Sequence, residues 1–133
     1  MGQMKIPGQS GYQILVVDDE ASVRKAIKML LQFEGHVVQT AESGEAALAL
    51  LATARFDLII TDFSMLEMNG EQLAARVKQL RPGQPIIMAT ASAHKVDVDG
   101  KPSVNVDHVL FKPFSLLELR AAIVKVMPQI HPN

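Results

Sequence analysis

The chain has 133 residues, 48% of them apolar, and a formal net charge of −1. That size and balance fit one folded domain with a real core and exclude a disordered chain. It has no cysteine, which excludes disulfides and thiolate chemistry and suits a reducing, cytoplasmic setting; its near-neutral charge gives no general pull toward nucleic acid or anionic membrane, and no apolar run approaches the roughly 18 residues of a membrane span.

Residues 1–12 are polar, contain Gly and Pro, lack a hydrophobic signal core, and read as a flexible leader. Gln13-Ile14-Leu15-Val16-Val17 then reads as an apolar strand that ends in Asp18-Asp19-Glu20. From Ala21 the period changes: Val23, Ile27, Leu30 and Leu31 recur at helical spacing, with Arg24, Lys25 and Lys28 on the other face. Glu34-Gly35 ends this helix, and Val37-Val38 makes a short strand. Ser43 is placed as an N-cap for a second helix, with Glu45 in its first turn and Ala47, Leu48 and Leu51 as its inward stripe.

Residues 56–62 are the centre of the pattern. Leu58-Ile59-Ile60 followed by Thr61-Asp62 reads as a strand buried on both faces, as a parallel sheet requires. Asn69-Gly70 signals a turn. Leu73, Val77 and Leu80 define a third helix, stopped by Arg81-Pro82-Gly83, and residues 85–90 form a fourth strand. Residues 92–107 break the rhythm. Val96-Asp97-Val98 and Val104-Asn105-Val106 alternate with period two on either side of Asp99-Gly100-Lys101-Pro102-Ser103, so a loop or small hairpin is expected in place of a helix. His108 to Phe111 is the fifth strand and ends at Lys112-Pro113. Ser115 and Glu118 then form a capping box, with Phe114 and Leu119 as its hydrophobic staple. Leu116, Leu119, Ile123 and Val126 face inward, Met127-Pro128 closes the helix, and residues 128–133 are a short tail.

Repeated βα units predict an α/β fold over residues 13–127: a doubly wound, five-stranded parallel sheet of flavodoxin-like order 2-1-3-4-5. In that order the first and third strands are neighbours, so Asp18, Asp19 and Asp62 meet at the carboxyl edge of the sheet, the edge where ligands bind in such folds. Three carboxylates in one crevice need a cation, and hard oxygen donors suit Mg²⁺. A carboxylate can also act as a nucleophile toward phosphorus, giving an aspartyl-phosphate. Thr90 and Lys112 end the fourth and fifth strands on the same edge and supply a hydroxyl and a cation.

These residues, Asp18-Asp19, Asp62, Thr90-Ala91 and Lys112-Pro113-Phe114, taken in order at successive strand ends, resemble the receiver domain of two-component response regulators, in its single-domain, chemotaxis-regulator-like form. The resemblance covers about residues 13–127. It implies that Asp62 accepts a phosphoryl group from a histidine kinase or a histidine phosphotransfer protein, and that the signal passes to a downstream protein target. It implies that Asp19 and Asp62 ligate Mg²⁺ directly, Asp18 largely through water, and Ser64 through its backbone carbonyl. Lys112 would pair with the phosphoryl group, Thr90 would shift toward it, and the Lys112-Pro113 bond would be cis.

Three departures stand out. The loop after Asp62 reads Met65-Leu66 and Asn69-Gly70, where the family has Met-Pro and Asp-Gly. Val109 stands three residues before the lysine, where the family has an aromatic ring that reports phosphorylation. The helix between the fourth and fifth strands is missing from the pattern. Phosphorylation with an unconventional readout is the expectation, in a chain acting as a stand-alone switch or as a fragment of a larger protein. The chain is expected not to be an enzyme beyond its own phosphorylation and dephosphorylation. Two alternatives remain: a receiver-like interaction module that works without phosphorylation, and a phosphohydrolase with an Asp nucleophile. The latter lacks the second acid in Asp62-Phe63-Ser64, and a dinucleotide site lacks its Gly-rich turn. His36, His94, His108 and His131 have no metal-ligand spacing and are expected at the surface or in loops.

Overall fold

The apolar runs do form strands, and their order builds one parallel sheet. The computed structural model describes residues 11–91 and 104–127. Within them the chain runs β1 (Gln13–Val17), α1 (Ala21–Phe33), β2 (Val37–Ala41), α2 (Gly44–Thr53), β3 (Leu58–Asp62), α3 (Gly70–Leu80), β4 (Ile86–Thr90), β5 (His108–Phe111) and α4 (Leu116–Val126). The sheet order is β2-β1-β3-β4-β5, all parallel, which is the predicted flavodoxin-like order.

β3 and β4 are buried along their whole length, as strands covered on both faces must be. Alternate residues feed two cores. Ile14, Val16, Leu58, Ile60 and Ile87 face Ile27 and Leu31 of α1 and Leu119 and Ile123 of α4. Leu15, Val17, Ile59, Ile86 and Met88 face Ala47 and Leu51 of α2 and Leu73, Ala74 and Val77 of α3. The one-residue alternation therefore decides which helix pair each strand side chain supports.

The caps behave as their chemistry requires. Ser43 accepts from the Ala46 amide at 3.0 Å, and Ser115 with Glu118 forms the expected capping box. Phe114 and Leu119 join the same core cluster, as a staple would. Gly35 sits at φ 90, where glycine carries no Cβ penalty, and ends α1 at the predicted place.

Some expectations need correction. Leu80 is 64% exposed, and Ala74 takes its place on the buried face of α3. β2 extends to Ala41, three residues beyond the predicted pair. His36 lies in the α1–β2 connection, as a loop position would, but it is buried rather than at the surface. It is 8% exposed, stacks on Tyr12 with ring centroids 5.6 Å apart, and accepts from the Tyr12 amide through Nδ1 at 3.1 Å. Four helices occur among the described residues. The hairpin or loop expected between β4 and β5 falls mostly on residues 92–103, outside the described residues; of its second arm, Val104-Asn105 is a turn and Val106 is buried against the α2–α3 layer.

The amino ends of the strands show a repeated device. The first N–H of a strand lacks a ladder partner and must find another acceptor. Asp57, just before β3, accepts from the Gln13 amide at 2.7 Å. Asp107, just before β5, accepts from the Ile86 amide at 2.8 Å and from Lys78 Nζ at 3.1 Å. His36, just before β2, does the same for Tyr12.

Candidate functional site

The opposite edge is built by register. Val17 pairs with Thr61, so the next residues on the two strands, Asp18 and Asp62, emerge side by side. The Asp18 amide still donates to the Ala41 carbonyl at 3.2 Å, which holds Asp18 at the strand end. Thr90 ends β4, beside the Asp62–Ala89 pair, and Lys112 follows β5. The Lys112 amide donates to the Thr90 carbonyl at 2.8 Å, and the Lys112-Pro113 bond is cis, as expected.

Asp18 and Asp62 are buried, at 1% and 8% exposure, while Asp19 is exposed. Carboxylate oxygens of Asp18, Asp19 and Asp62 lie within 4.8 Å of one another. Lys112 Nζ reaches Asp18 Oδ2 at 2.9 Å and Asp62 Oδ1 at 3.3 Å. One ammonium thus bridges two of the three clustered carboxylates. Asp18 Oδ1 also accepts from the Glu20 amide at 2.9 Å, which orients its other oxygen toward Lys112.

The electrostatics follow from this crowding. Burial raises the Asp62 pKa above the usual carboxylate range; Lys112 opposes that shift and Asp18 adds to it. Burial works against the Lys112 ammonium, yet its hydrogen bond to Asp18 and the charges of Asp62 and Asp18 together hold its pKa above the ordinary lysine value. The donor set consists of clustered, hard carboxylate oxygens with a residual negative charge. It fits a small divalent ion such as Mg²⁺ and does not fit a soft metal.

Two structural elements beneath the site were not legible as such. Arg24 was read only as part of the polar face of α1; its guanidinium donates to the Asp18 carbonyl at 2.7 Å and ties α1 to the site. Asn69-Gly70 is more than a turn. Asn69 caps α3 in a reciprocal box with Gln72, a signal present in the sequence as Asn followed three residues later by Gln. Gly70 lies directly against the Asp62 carbonyl, where a Cβ would collide with that backbone oxygen. The Gly70 amide donates to the Phe63 carbonyl at 2.8 Å.

Ser64 lies two residues past Asp62 on the exposed loop. Thr90 is 1% exposed. Met65 and Met68 pack against the α2–α3 core, in keeping with packing residues. Val109 is partly buried against the same core. His108 is half-buried, and burial lowers its pKa, with Lys125 adding to the effect; His94 and His131 lie outside the described residues.

Comparison with known proteins agrees with this geometry. The family model described as "Response regulator receiver domain" matches residues 14–124. Among curated proteins, the transcriptional regulatory protein GlrR of Escherichia coli is 36% identical over 119 residues, covering 90% of this chain and 27% of the relative. The phosphate regulon transcriptional regulatory protein PhoB of Pseudomonas aeruginosa is 35% identical over 125 residues, covering 92% of this chain and 55% of the relative. The chain therefore spans about a quarter to a half of the length of these curated relatives. Among solved structures, the response regulator protein TrrA of Thermotoga maritima, in complex with Mg²⁺-BeF, superposes with a TM-score of 0.80 at 34% identity, covering 86% of this chain and 98% of that one. The chemotaxis protein CheY4 of Vibrio cholerae gives 0.81 at 32% identity, covering 89% and 100%.

Proposed function

This chain belongs to the response regulator receiver domain family of two-component signalling, and we propose that Asp62 is its phosphoacceptor. One juxtaposition supports the reading above all: Lys112 Nζ lies 2.9 Å from Asp18 and 3.3 Å from Asp62, with Asp19 in the same carboxylate cluster. A lone strand-end acid is commonplace. Three clustered acids at adjacent strand ends, two of them bonded to one lysine, make a charge balance that is completed by a divalent ion and a phosphoryl group together.

In this reading Asp19 and Asp62 hold Mg²⁺ directly, with the Ser64 carbonyl as a further ligand and Asp18 acting largely through water. The ion would offset negative charge on the phosphoryl oxygens. Asp62 supplies the attacking carboxylate oxygen, which forms a bond to phosphorus as the donor's P–N bond breaks. Lys112 then pairs with the bound phosphoryl group, and the Thr90 hydroxyl turns toward it. Positioning and charge stabilisation are what such a transfer needs from the protein.

Receiver domains of response regulators work with histidine kinases or phosphotransfer proteins and are signalling phosphoacceptors, not classical enzymes. For this chain the reading names such a donor in a cytoplasmic setting, a downstream protein target, and no catalysis beyond its own phosphorylation and dephosphorylation. Among the described residues no helix is long and apolar enough to cross a membrane. The receiver unit is read as residues 13–127. Val109 has no ring to rotate, so the readout takes a route other than an aromatic switch at that position.

The test is labelling by phosphoramidate, followed by intact mass. We expect one phosphoryl group per chain with Mg²⁺, none after chelation, and none in Asp62→Asn. Full labelling of Asp62→Asn would move the acceptor elsewhere. An unlabelled wild-type chain would leave the interaction-module alternative as the better account.

A further inference from the structure

We propose that Met68 is a positioning residue for the divalent ion: its side chain lies on the bare Cα of Gly44 and so fixes the loop that carries Ser64. The proposal rests on the reading of Asp62 and the Ser64 carbonyl as ligands of Mg²⁺. The contact that carries it is independent of that reading.

Gly44 is the first residue of α2 and is buried. Among the described residues the glycines with left-handed backbone are Gly11 and Gly35, so alanine could adopt the backbone of Gly44, and helix propensity would favour it there. What requires glycine is space. A Cβ on Gly44 would lie 2.6 Å from Met68 Sδ, 3.1 Å from its Cγ and 3.2 Å from its Cβ. The sulfur could swing away about the side-chain torsions. The Met68 Cβ cannot, because the backbone sets its place. A methyl group at position 44 therefore moves the chain at residue 68.

The loop is shaped to make this contact. Glu67 holds φ 67, a conformation that costs a side-chain-bearing residue energy and persists only where its surroundings enforce it. On one side of that turn Leu66 is 79% exposed; on the other Met68 packs against the α2–α3 core. Met65 packs there too, but Met68 reaches a backbone that only glycine leaves open. Ser64 lies between Asp62 and this seat and belongs to no strand or helix, so its carbonyl goes where the loop goes. Mg²⁺ demands near-octahedral geometry at about 2.0–2.1 Å. A carbonyl ligand displaced by a fraction of an ångström is felt in affinity, as outer-shell supports of metal sites generally are.

The experiment titrates metal-free protein with Mg²⁺ by calorimetry, for the wild type, Gly44→Ala, Met68→Ala, the double variant and Met68→Leu, with urea midpoints measured alongside. We expect each single alanine variant to raise the Mg²⁺ dissociation constant roughly tenfold. The double variant should bind no worse than Met68→Ala, because the methyl at position 44 then meets nothing. Met68→Leu keeps the bulk and should bind as the wild type does. Phosphoramidate labelling of Gly44→Ala should return to the wild-type rate at saturating Mg²⁺. Equal dissociation constants in the wild type and both single variants, whatever the urea midpoints, would make Met68 a packing residue only and overturn the proposal while leaving the Mg²⁺ site intact. A loss of roughly a hundredfold in the double variant, the product of independent effects, would overturn it too. A wild type that does not bind Mg²⁺ would overturn the ligand reading, and this one with it.

Discussion

The two edges of the sheet use the same residue types to opposite ends. At the amino edge, Asp57 and Asp107 each accept a neighbouring strand's first amide, and Asp107 also meets Lys78. At the carboxyl edge, Asp18, Asp19 and Asp62 crowd within 4.8 Å, and two of them, Asp18 and Asp62, share one lysine. An aspartate beside a strand is therefore uninformative by itself. What separates a structural acid from a functional one is whether donors balance its charge within the fold. The amino edge is balanced by amides and Lys78; the carboxyl edge is left short of positive charge, and a ligand can supply it.

The sharpest way to break this contrast is Lys112→Met. It removes the cation bonded to the carboxylate of Asp18, which is 1% exposed. Breaking a buried pair from one side costs roughly 3 kcal/mol or more, so urea unfolding without metal should show a large loss, and labelling should collapse. Unchanged stability would mean that the carboxyl edge is balanced some other way. Next is the metal itself. Mg²⁺ at about one hundred times its dissociation constant should stabilise the wild type by about 2.7 kcal/mol, and should do so far less in Asp62→Asn. Equal stabilisation of both proteins would remove Asp62 from the ligand set.

Asp107→Ala tests the other edge. It strips the Ile86 amide and Lys78 of an acceptor, at a cost of about 1–3 kcal/mol, while the label per folded molecule stays at the wild-type level. A labelling defect in that variant would show the edges to be coupled. The smallest effect is expected at the Glu34–Arg120 pair, which joins the end of α1 to α4 through contacts of 2.6 and 2.9 Å. The hydrogen bond from Arg120 holds the Glu34 pKa below its ordinary value. Its contribution is thus present above the ordinary carboxylate pKa and lost as pH falls through the depressed one. Arg120→Gln should lower stability slightly at pH 7, and the difference from wild type should vanish in acid and fade with salt.

Much of this is legible in the sequence. Short apolar runs marked five strands, two of them ending in acids, and the βα alternation left few ways to arrange them, so the meeting of Asp18, Asp62 and Lys112 followed from topology. What stayed hidden depends on distance across the chain. His36 has no periodic signal; it is buried because its ring lies on Tyr12, twenty-four positions earlier, and accepts that residue's amide. Arg24 looks like any helix cation until α1 packs beside β1 and brings it to the Asp18 carbonyl. Leu80 fits a helical stripe by spacing, yet α3 ends there and the turn leaves it in solvent. Periodicity records which side of a helix is apolar, but not where the neighbouring layer stops.

The contact of Gly70 with the Asp62 carbonyl has a practical corollary for anyone re-engineering the chain. Residues 63–69 are pinned at both ends, by the strand that bears Asp62 and by a helix seated through Asn69 and Gly70. A tag or reporter spliced into this segment would act as a lever on Asp62, whereas one attached at the exposed end of α1 would have no such purchase.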